Sequence, residues 1–206
     1  SSVAVLLAVQ VLVFAALYLP MRQGTRQLQA AQDELKTLVS IDVLTGLFNR
    51  RHLMARIEEE FSRASGGGRR GPEAASLAFV MIDIDHFKAI NDTHGHAGGD
   101  VVLCAISVRL KNCLRAYDIL GRYGGEEFLA MLPNTSLEGA KVVAERMRQT
   151  VRTTPFKFIG KSIDVRICAG VSIVAAGEAD LTPAFRRADE ALYKAKGAGR
   201  DQVAWT

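Results

Sequence analysis

The stretch Tyr123-Gly124-Gly125-Glu126-Glu127-Phe128 decides how the chain is read. It sets a glycine pair and a carboxylate pair between two apolar runs, Ile119 to Tyr123 and Phe128 to Leu132, each with the length and composition of a short strand. The glycines and acids therefore fall at the tip of a hairpin, where glycine's tolerance of positive φ is useful. Two residues without side chains let a bulky anionic ligand lie against the backbone. Adjacent carboxylates repel one another unless a cation sits between them, and Mg²⁺ takes oxygen ligands of this kind. Taken alone, the stretch also reads as a solvated turn.

Working outward, Leu77 to Ile82 is apolar without alternation, which predicts a central strand covered on both faces. It runs straight into Asp83-Ile84-Asp85-His86-Phe87-Lys88, and carboxylates at the exit of a buried strand are well placed to hold a metal. Ala89 to Gly99 reads as a polar loop, after which Asp100 opens a helix over Val101 to Leu114. His94 and His96 read as turn chemistry, because no third ligand lies near them in sequence. Leu137 to Val151 is amphipathic, with Ala140, Val143, Ala144 and Met147 inward and Glu138, Arg148 and Gln149 outward. Phe156 to Ile159 and Ile163 to Val174 are strand-like, and Leu181, Phe185, Ala188, Leu192 and Ala195 mark one face of a helix. Lys196 and Arg200 stand at the end of that helix, where its dipole alone favours cations, and Gln202 to Ala204 reads as an edge strand.

Upstream, Ile41 to Arg51 is a compact turn in which Asn49 caps a helix running from Arg50 to about Ser65, and Gly66 to Pro72 is a surface loop. Leu28, Ala31, Leu35 and Leu38 recur at the spacing of a short parallel coiled coil, so residues 22–41 read as a dimerising signal helix. Val3 to Leu19 is apolar apart from Gln10 and reaches about 25 Å at helical rise, so residues 1–21 read as a partial transmembrane helix. Arg22 and Arg26 follow at once, which puts the remainder on the cytoplasmic side.

The 206 residues suit one globular domain plus an appendage. The net charge of +4 comes without a basic block or an aromatic-basic ladder, so no nucleic acid polymer is implied. Cys104, Cys113 and Cys168 form no Cys-x-x-Cys pair and sit in apolar contexts, as buried thiols in a reducing compartment would.

Together these pieces resemble the GGDEF domain, the catalytic module of bacterial diguanylate cyclases, over residues 42–206. The likeness rests on Asp42-x-Leu44-Thr45-Gly46-Leu47-x-Asn49-Arg50-Arg51, on Asp83 to Lys88 with Asn91-Asp92, and on Gly95-His96 and Asp100. It continues in Gly124-Gly125-Glu126-Glu127-Phe128 and in Ala188-Asp189-Glu190-Ala191-Leu192-Tyr193 leading to Lys196 and Arg200. Several independent motifs in one order leave little room for chance.

The resemblance implies an α/β (α+β) fold: a central, mostly antiparallel sheet flanked by helices, akin to the palm of nucleotidyl cyclases and polymerases. It implies that two GTP molecules are joined into cyclic di-GMP with release of two pyrophosphates, by a homodimer in which each domain holds one GTP. Asp83, the carbonyl of Ile84, Glu126 and Glu127 match the ligands of Mg²⁺, for which Mn²⁺ can substitute, with Glu126 and Glu127 as the catalytic carboxylates. Asn91 and Asp100 match the guanine-reading positions. Phe87, Lys88, Lys196 and Arg200 match the phosphate site, and Gly124 and Gly125 the surface the nucleotide packs on. Arg115 and Asp118 match an Arg-x-x-Asp product-inhibition site, to which Arg146 answers as a second arginine. Glu126 stands where the family more often has Asp, which lengthens the reach by one methylene and keeps the charge. The implied setting is the cytoplasmic face of the bacterial inner membrane. Two alternatives stay open: a non-catalytic cyclic di-GMP receptor that uses Arg115 and Asp118 alone, and an enzyme making a mixed or different cyclic dinucleotide.

Overall fold

In the computed structural model, the run beginning at Leu77 forms a strand, β2 (Leu77–Ile84), buried at all eight positions. The structure describes residues 40–66 and 76–206, and before them Gln10, Phe14, Tyr18, Met21 and Arg22. The elements follow as β1 (Phe48–Asn49), α1 (Arg50–Gly66), β2, α2 (Phe87–Asn112), β3 (Ile119–Arg122) and β4 (Glu127–Pro133). Then come α3 (Leu137–Thr153), β5 (Phe156–Phe158), β6 (Lys161–Ile163), β7 (Ile167–Ile173), α4 (Thr182–Gly197) and β8 (Val203–Trp205).

Six strands make one sheet in the order β1-β3-β4-β2-β7-β8. The four central strands are antiparallel, and only the edge strands β1 and β8 pair in parallel. This is the mostly antiparallel sheet flanked by helices that the sequence leads one to expect. β5 and β6 form a separate hairpin.

Residue parity along β2 divides the core. Ala78, Val80, Ile82 and Ile84 pack with residues of α2 and α3, whereas Leu77, Phe79 and Met81 pack with Leu53 and Ile57 of α1, with Leu181 just before α4 and with Ala184, Ala188 and Leu192 of α4. On that second face the Phe79 and Phe185 rings meet with centroids 4.7 Å apart. The chain starts α1 as expected, Asn49 Oδ1 accepting the His52 N–H at 3.0 Å.

Several expectations change. The segment Ala89 to Gly99 is helical rather than a loop: α2 runs from Phe87 to Asn112 and is broken only at Gly95, whose φ of 70° and ψ of 170° leave the helix. Gly98 and Gly99 sustain the helix after this break, because their missing side chains make room for His94 and Asn91. The long strand expected from Ile163 is split at Asp164-Val165-Arg166, where Asp164 and Arg166 pair at 3.1 Å and the Arg166 carbonyl turns to accept the Asp85 N–H. Arg148 does not point outward. It is buried, because Glu145 and Asp201 pair with its guanidinium. Cys113 and Cys168 are buried, but Cys104 is only half-buried; all three are free thiols.

The described residues among 1–39 are helical, with the Phe14 and Tyr18 rings stacked at 5.3 Å. The coiled-coil seam Leu28 to Leu38, most of the apolar run and residues 67–72 of the expected loop lie outside the described residues. Among the described residues no helix is long and apolar enough to cross a membrane.

Candidate active site

The parity that sorts the core also aims the acids. Asp83 shares the face of Leu77, Phe79 and Met81, and its partner across the ladder is Glu127 of β4, in step with Leu129 and Met131 on the same face. Both carboxylates therefore leave the sheet on the side covered by α4. That helix lies close because Gly170 of β7 has no side chain: a Cβ there would collide with the Ala188 carbonyl and the Leu192 backbone. Its last turn brings Lys196 Nζ to 2.8 Å from Asp83 Oδ2.

The hairpin tip is closed by two backbone bonds, from the Tyr123 and Gly124 N–H groups to the Glu127 carbonyl at 2.8 and 3.2 Å. The Ile84 N–H reaches the Glu126 carbonyl at 3.4 Å, so the end of β2 and the tip are stitched together. Gly124 and Gly125 do not use positive φ, contrary to the expectation for this turn. Their lack of a side chain serves space instead. A Cβ on Gly124 would run into the Glu127 carboxylate, whereas a Cβ on Gly125 would meet nothing within 4 Å, which leaves open room over the tip.

The electrostatics record the convergence. Burial pushes the Glu126 carboxyl above its usual range, and the charges of Asp83 and Glu127 add to the push, with Lys196 opposing it. Burial likewise raises Asp83, against the pull of Lys196. Asp83, Glu126 and Glu127, with the carbonyl end of Ile84, offer hard oxygen donors whose mutual repulsion a divalent cation would relieve, so the donor set fits Mg²⁺. Among the described residues, however, no three acidic, histidine or cysteine side chains are already drawn into a cage. His94 and His96 flank the Gly95 break and join no such group.

The second carboxylate of Asp83-x-Asp85 goes elsewhere. Asp85 is buried and accepts from Cys168 Sγ at 3.1 Å and from the Asp201 N–H at 2.9 Å. Burial and this carboxylate together push the Cys168 thiol up to about 12. Asp201 in turn pairs with Arg148, Arg152 and Arg166, which ties the loop after α4 to α3 and to the start of β7.

Around Gly99 the structure brings three expected residues together. The Asn91 amide oxygen and the Phe87 ring lie over it, and Asp100 follows it, exposed. Lys88 is exposed one residue into α2. Arg200 is exposed just after α4, with φ 64°, and its charge reaches Asp83.

Arg115, Ala116, Tyr117 and Asp118 form a turn beyond α2. The Arg115 N–H donates to Asp118 Oδ2 at 2.8 Å, and the guanidinium donates to the Tyr117 hydroxyl at 2.7 Å. The other Asp118 oxygen is buried and has no partner among the described residues, beside a cavity of about 340 Å³ lined by Leu47, Phe48, Lys111, Leu114, Arg115 and Leu120 among others. A donor-bearing ligand would satisfy it. Arg146 of α3 donates to the Cys113 carbonyl at 2.6 Å and so lies beside the same turn.

One residue of consequence escapes sequence reasoning. Arg122 donates through Nε and Nη2 to the Gly125 carbonyl at 3.1 and 2.7 Å, through Nε to Gly124 at 3.2 Å, and through Nη1 to both Asp42 oxygens at 3.2 Å. Asp42 also accepts from the Thr45 N–H and hydroxyl. The tip is thus clamped to the turn that opens the domain. The signal was a lone arginine ending an otherwise apolar strand. Arg50 adds a second brace, its guanidinium stacked 4.4 Å from the Tyr123 ring.

A central, mostly antiparallel sheet with an acid at the end of its central strand and an acid pair on the neighbouring hairpin defines a domain of the GGDEF class. Residues 39–202 match the family described as diguanylate cyclase, GGDEF domain, and the chain belongs to it. Diguanylate cyclase DgcP of Pseudomonas aeruginosa is 39% identical over 183 residues, covering 89% of this chain and 26% of that protein. The GGEEF domain described as active, of a Vibrio cholerae diguanylate cyclase, superposes with a TM-score of 0.68 at 39% identity, covering 76% of this chain and 96% of that one. The GGDEF domain of DgcB from Caulobacter crescentus, solved in complex with c-di-GMP, gives 0.72 at 29% identity over 81% of this chain and 95% of that one. The chain spans between 26% and 51% of the length of the curated relatives it matches first.

Proposed function

We propose that this domain is a Mg²⁺-dependent diguanylate cyclase that condenses two GTP into cyclic di-GMP and two pyrophosphates. The observation that carries the reading is the ladder pairing of Asp83 with Glu127 on the face where Lys196 descends. Asp83, the Ile84 carbonyl, Glu126 and Glu127 would hold the ion, which when bound screens the triphosphate and polarises the α-phosphoryl group. Glu126, beside Glu127 at the hairpin tip, is the carboxylate we assign to the attacking 3′-hydroxyl, whose proton it would take. Each attack forms one O–P bond to an α-phosphorus and expels one pyrophosphate, and two attacks close the ring. Asp100 accepts from guanine N1 and N2, a donor pair that adenine lacks, and Asn91 reads the same base. Lys196, Arg200, Lys88 and the N-terminal turn of α2 at Phe87 receive the phosphates.

Because each domain offers one such site, two copies face each other, and residues 22–41 as a coiled coil would hold them near. Residues 1–21 would tether the dimer to the inner membrane with the catalytic domain in the cytoplasm. Product feedback is read at Arg115 and Asp118, with Arg146 joining. The unpartnered Asp118 oxygen supports this, since a guanine N–H would satisfy it.

Incubation of the protein with Mg²⁺ and GTP, or GTP plus ATP, with products identified by mass, tests the whole. Cyclic di-GMP alone is expected from wild type, none from Glu127→Gln, and retained synthesis with weaker feedback from Arg115→Ala. Undiminished synthesis by Glu127→Gln would refute the metal assignment. Tight cyclic di-GMP binding without any turnover would instead favour the receptor, and a product containing adenine would favour the mixed cyclase.

A further inference from the structure

We propose that Lys196 is an exchangeable internal cation: in the empty site it occupies the place of the divalent ion at Asp83, and on loading it transfers to the nucleotide's phosphates. The inference rests on the cyclase reading and adds to it an order and a coupling between metal and nucleotide.

The geometry points this way from several sides. The Asp83 carboxylate, whose side chain is only 11% exposed, needs a counter-charge when no ion is present, and Lys196 Nζ supplies it at 2.8 Å. The same ammonium acts on Glu126, so one cation balances acids from both the strand and the hairpin. While it does so, the acids are not gathered into a cage of their own among the described residues. The root of Lys196 is fixed: Leu192 and Ala195 are buried, and the helix lies against Gly170. Its head is not fixed, since the side chain is 34% exposed and a flexible four-carbon stem can swing it toward solvent. A divalent ion and an ammonium group repel strongly when both are held at one carboxylate, and they cannot share the Oδ2 atom that Lys196 occupies, so an ion that binds through this oxygen displaces Lys196. The polyphosphate of an arriving nucleotide is the anion that gives the departing ammonium a new partner.

Two consequences follow. The nucleotide-free site takes up Mg²⁺ or Mn²⁺ poorly, and each ligand promotes the other beyond the effect of direct contact between ion and phosphate. Lys196 is in this respect a positioning residue, distinct from its contact with phosphate.

The test is a Mn²⁺ titration of the full chain followed by electron paramagnetic resonance, with and without 3′-deoxy-GTP, which lacks the attacking hydroxyl. In the absence of nucleotide, Lys196→Met is expected to bind Mn²⁺ at least about tenfold more tightly than wild type, while Lys196→Arg, which keeps the charge, stays as weak as wild type. The factor by which 3′-deoxy-GTP tightens Mn²⁺ binding is expected to shrink in Lys196→Met by a similar ratio. Lys196→Gln serves as a second neutral variant, and unchanged near-ultraviolet circular dichroism establishes that each variant is folded. Equal or weaker Mn²⁺ binding by both folded neutral variants without nucleotide overturns the exchange while leaving the cyclase reading intact. A wild type that binds no Mn²⁺ even with 3′-deoxy-GTP, and makes no cyclic di-GMP from GTP, overturns the reading itself.

Discussion

Replacing Arg122 by Met should loosen the hairpin tip without emptying the space the stem fills. The guanidinium loses its bonds to the Gly124 and Gly125 carbonyls and its two-point contact with Asp42. Hydrogen bonds to a charged group contribute about 1.5–3 kcal/mol each in favourable cases, but these share one donor group and are not additive. The side chains of Arg122 and Asp42 are 18% and 23% exposed, so solvent screens part of the pair. A net loss of about 2–4 kcal/mol follows, which for a domain of this size lowers the melting temperature by roughly 5–15 °C. Burial pushes the Asp42 carboxyl up, yet the Thr45 hydrogen bonds and the Arg122 charge outweigh it and hold it below its usual value. A depressed acid stabilises the fold above the unfolded value of about 3.9 and loses that contribution as pH falls through the folded value. The wild type should therefore lose more stability than Arg122→Met between about pH 5 and pH 3. The assay is thermal unfolding by circular dichroism across that range, with hydrogen exchange at residues 123–127 as the local readout. A melting temperature within about 2 °C of wild type at neutral pH, with unchanged exchange at the tip, would refute the clamp.

Three further outcomes are expected. Gly170→Ala should cost about 1–3 kcal/mol in urea unfolding, because the added Cβ meets the backbone of α4, and synthesis should fall as the shifted helix carries Lys196 away from the phosphates it is to receive. In metal-free protein, Glu126→Gln should raise the melting temperature at pH 7. A carboxyl whose folded value is raised binds its proton more tightly folded than unfolded, so its charged form costs stability as pH rises; the gain should vanish below about pH 4. The Cys168 thiol, pushed up to about 12, should resist alkylation at pH 8 until the chain unfolds, as followed by mass spectrometry.

The sheet and the acidic pair were legible because their signals are local. An unbroken apolar run ending in Asp83, and a hairpin carrying Gly124 to Glu127, need no knowledge of the rest of the chain to be placed. What was not legible depends on contacts far apart in sequence. Arg148 sits on a helix face that periodicity assigns to solvent, and the return of the chain at Asp201, added to the local pair with Glu145, makes a buried position tolerable. Arg122 gains its meaning from Asp42, eighty positions earlier. The segment Ala89 to Gly99 misled for a different reason: its glycines suggest a loop by composition, yet only Gly95 leaves the helix, and Gly98 and Gly99 are there to let Asn91 and His94 pack.

The fate of Asp85 carries a warning for mutational surveys of such sites. Two aspartates separated by one residue invite treatment as interchangeable partners in catalysis, and an alanine scan scored by product yield alone would rank them together. Yet both Asp85 oxygens are already engaged within the fold: one accepts from a thiol and the other from the chain leaving α4. Its removal should register first in heat resistance, and the lost yield would be a symptom of a scaffold coming apart rather than of chemistry disarmed.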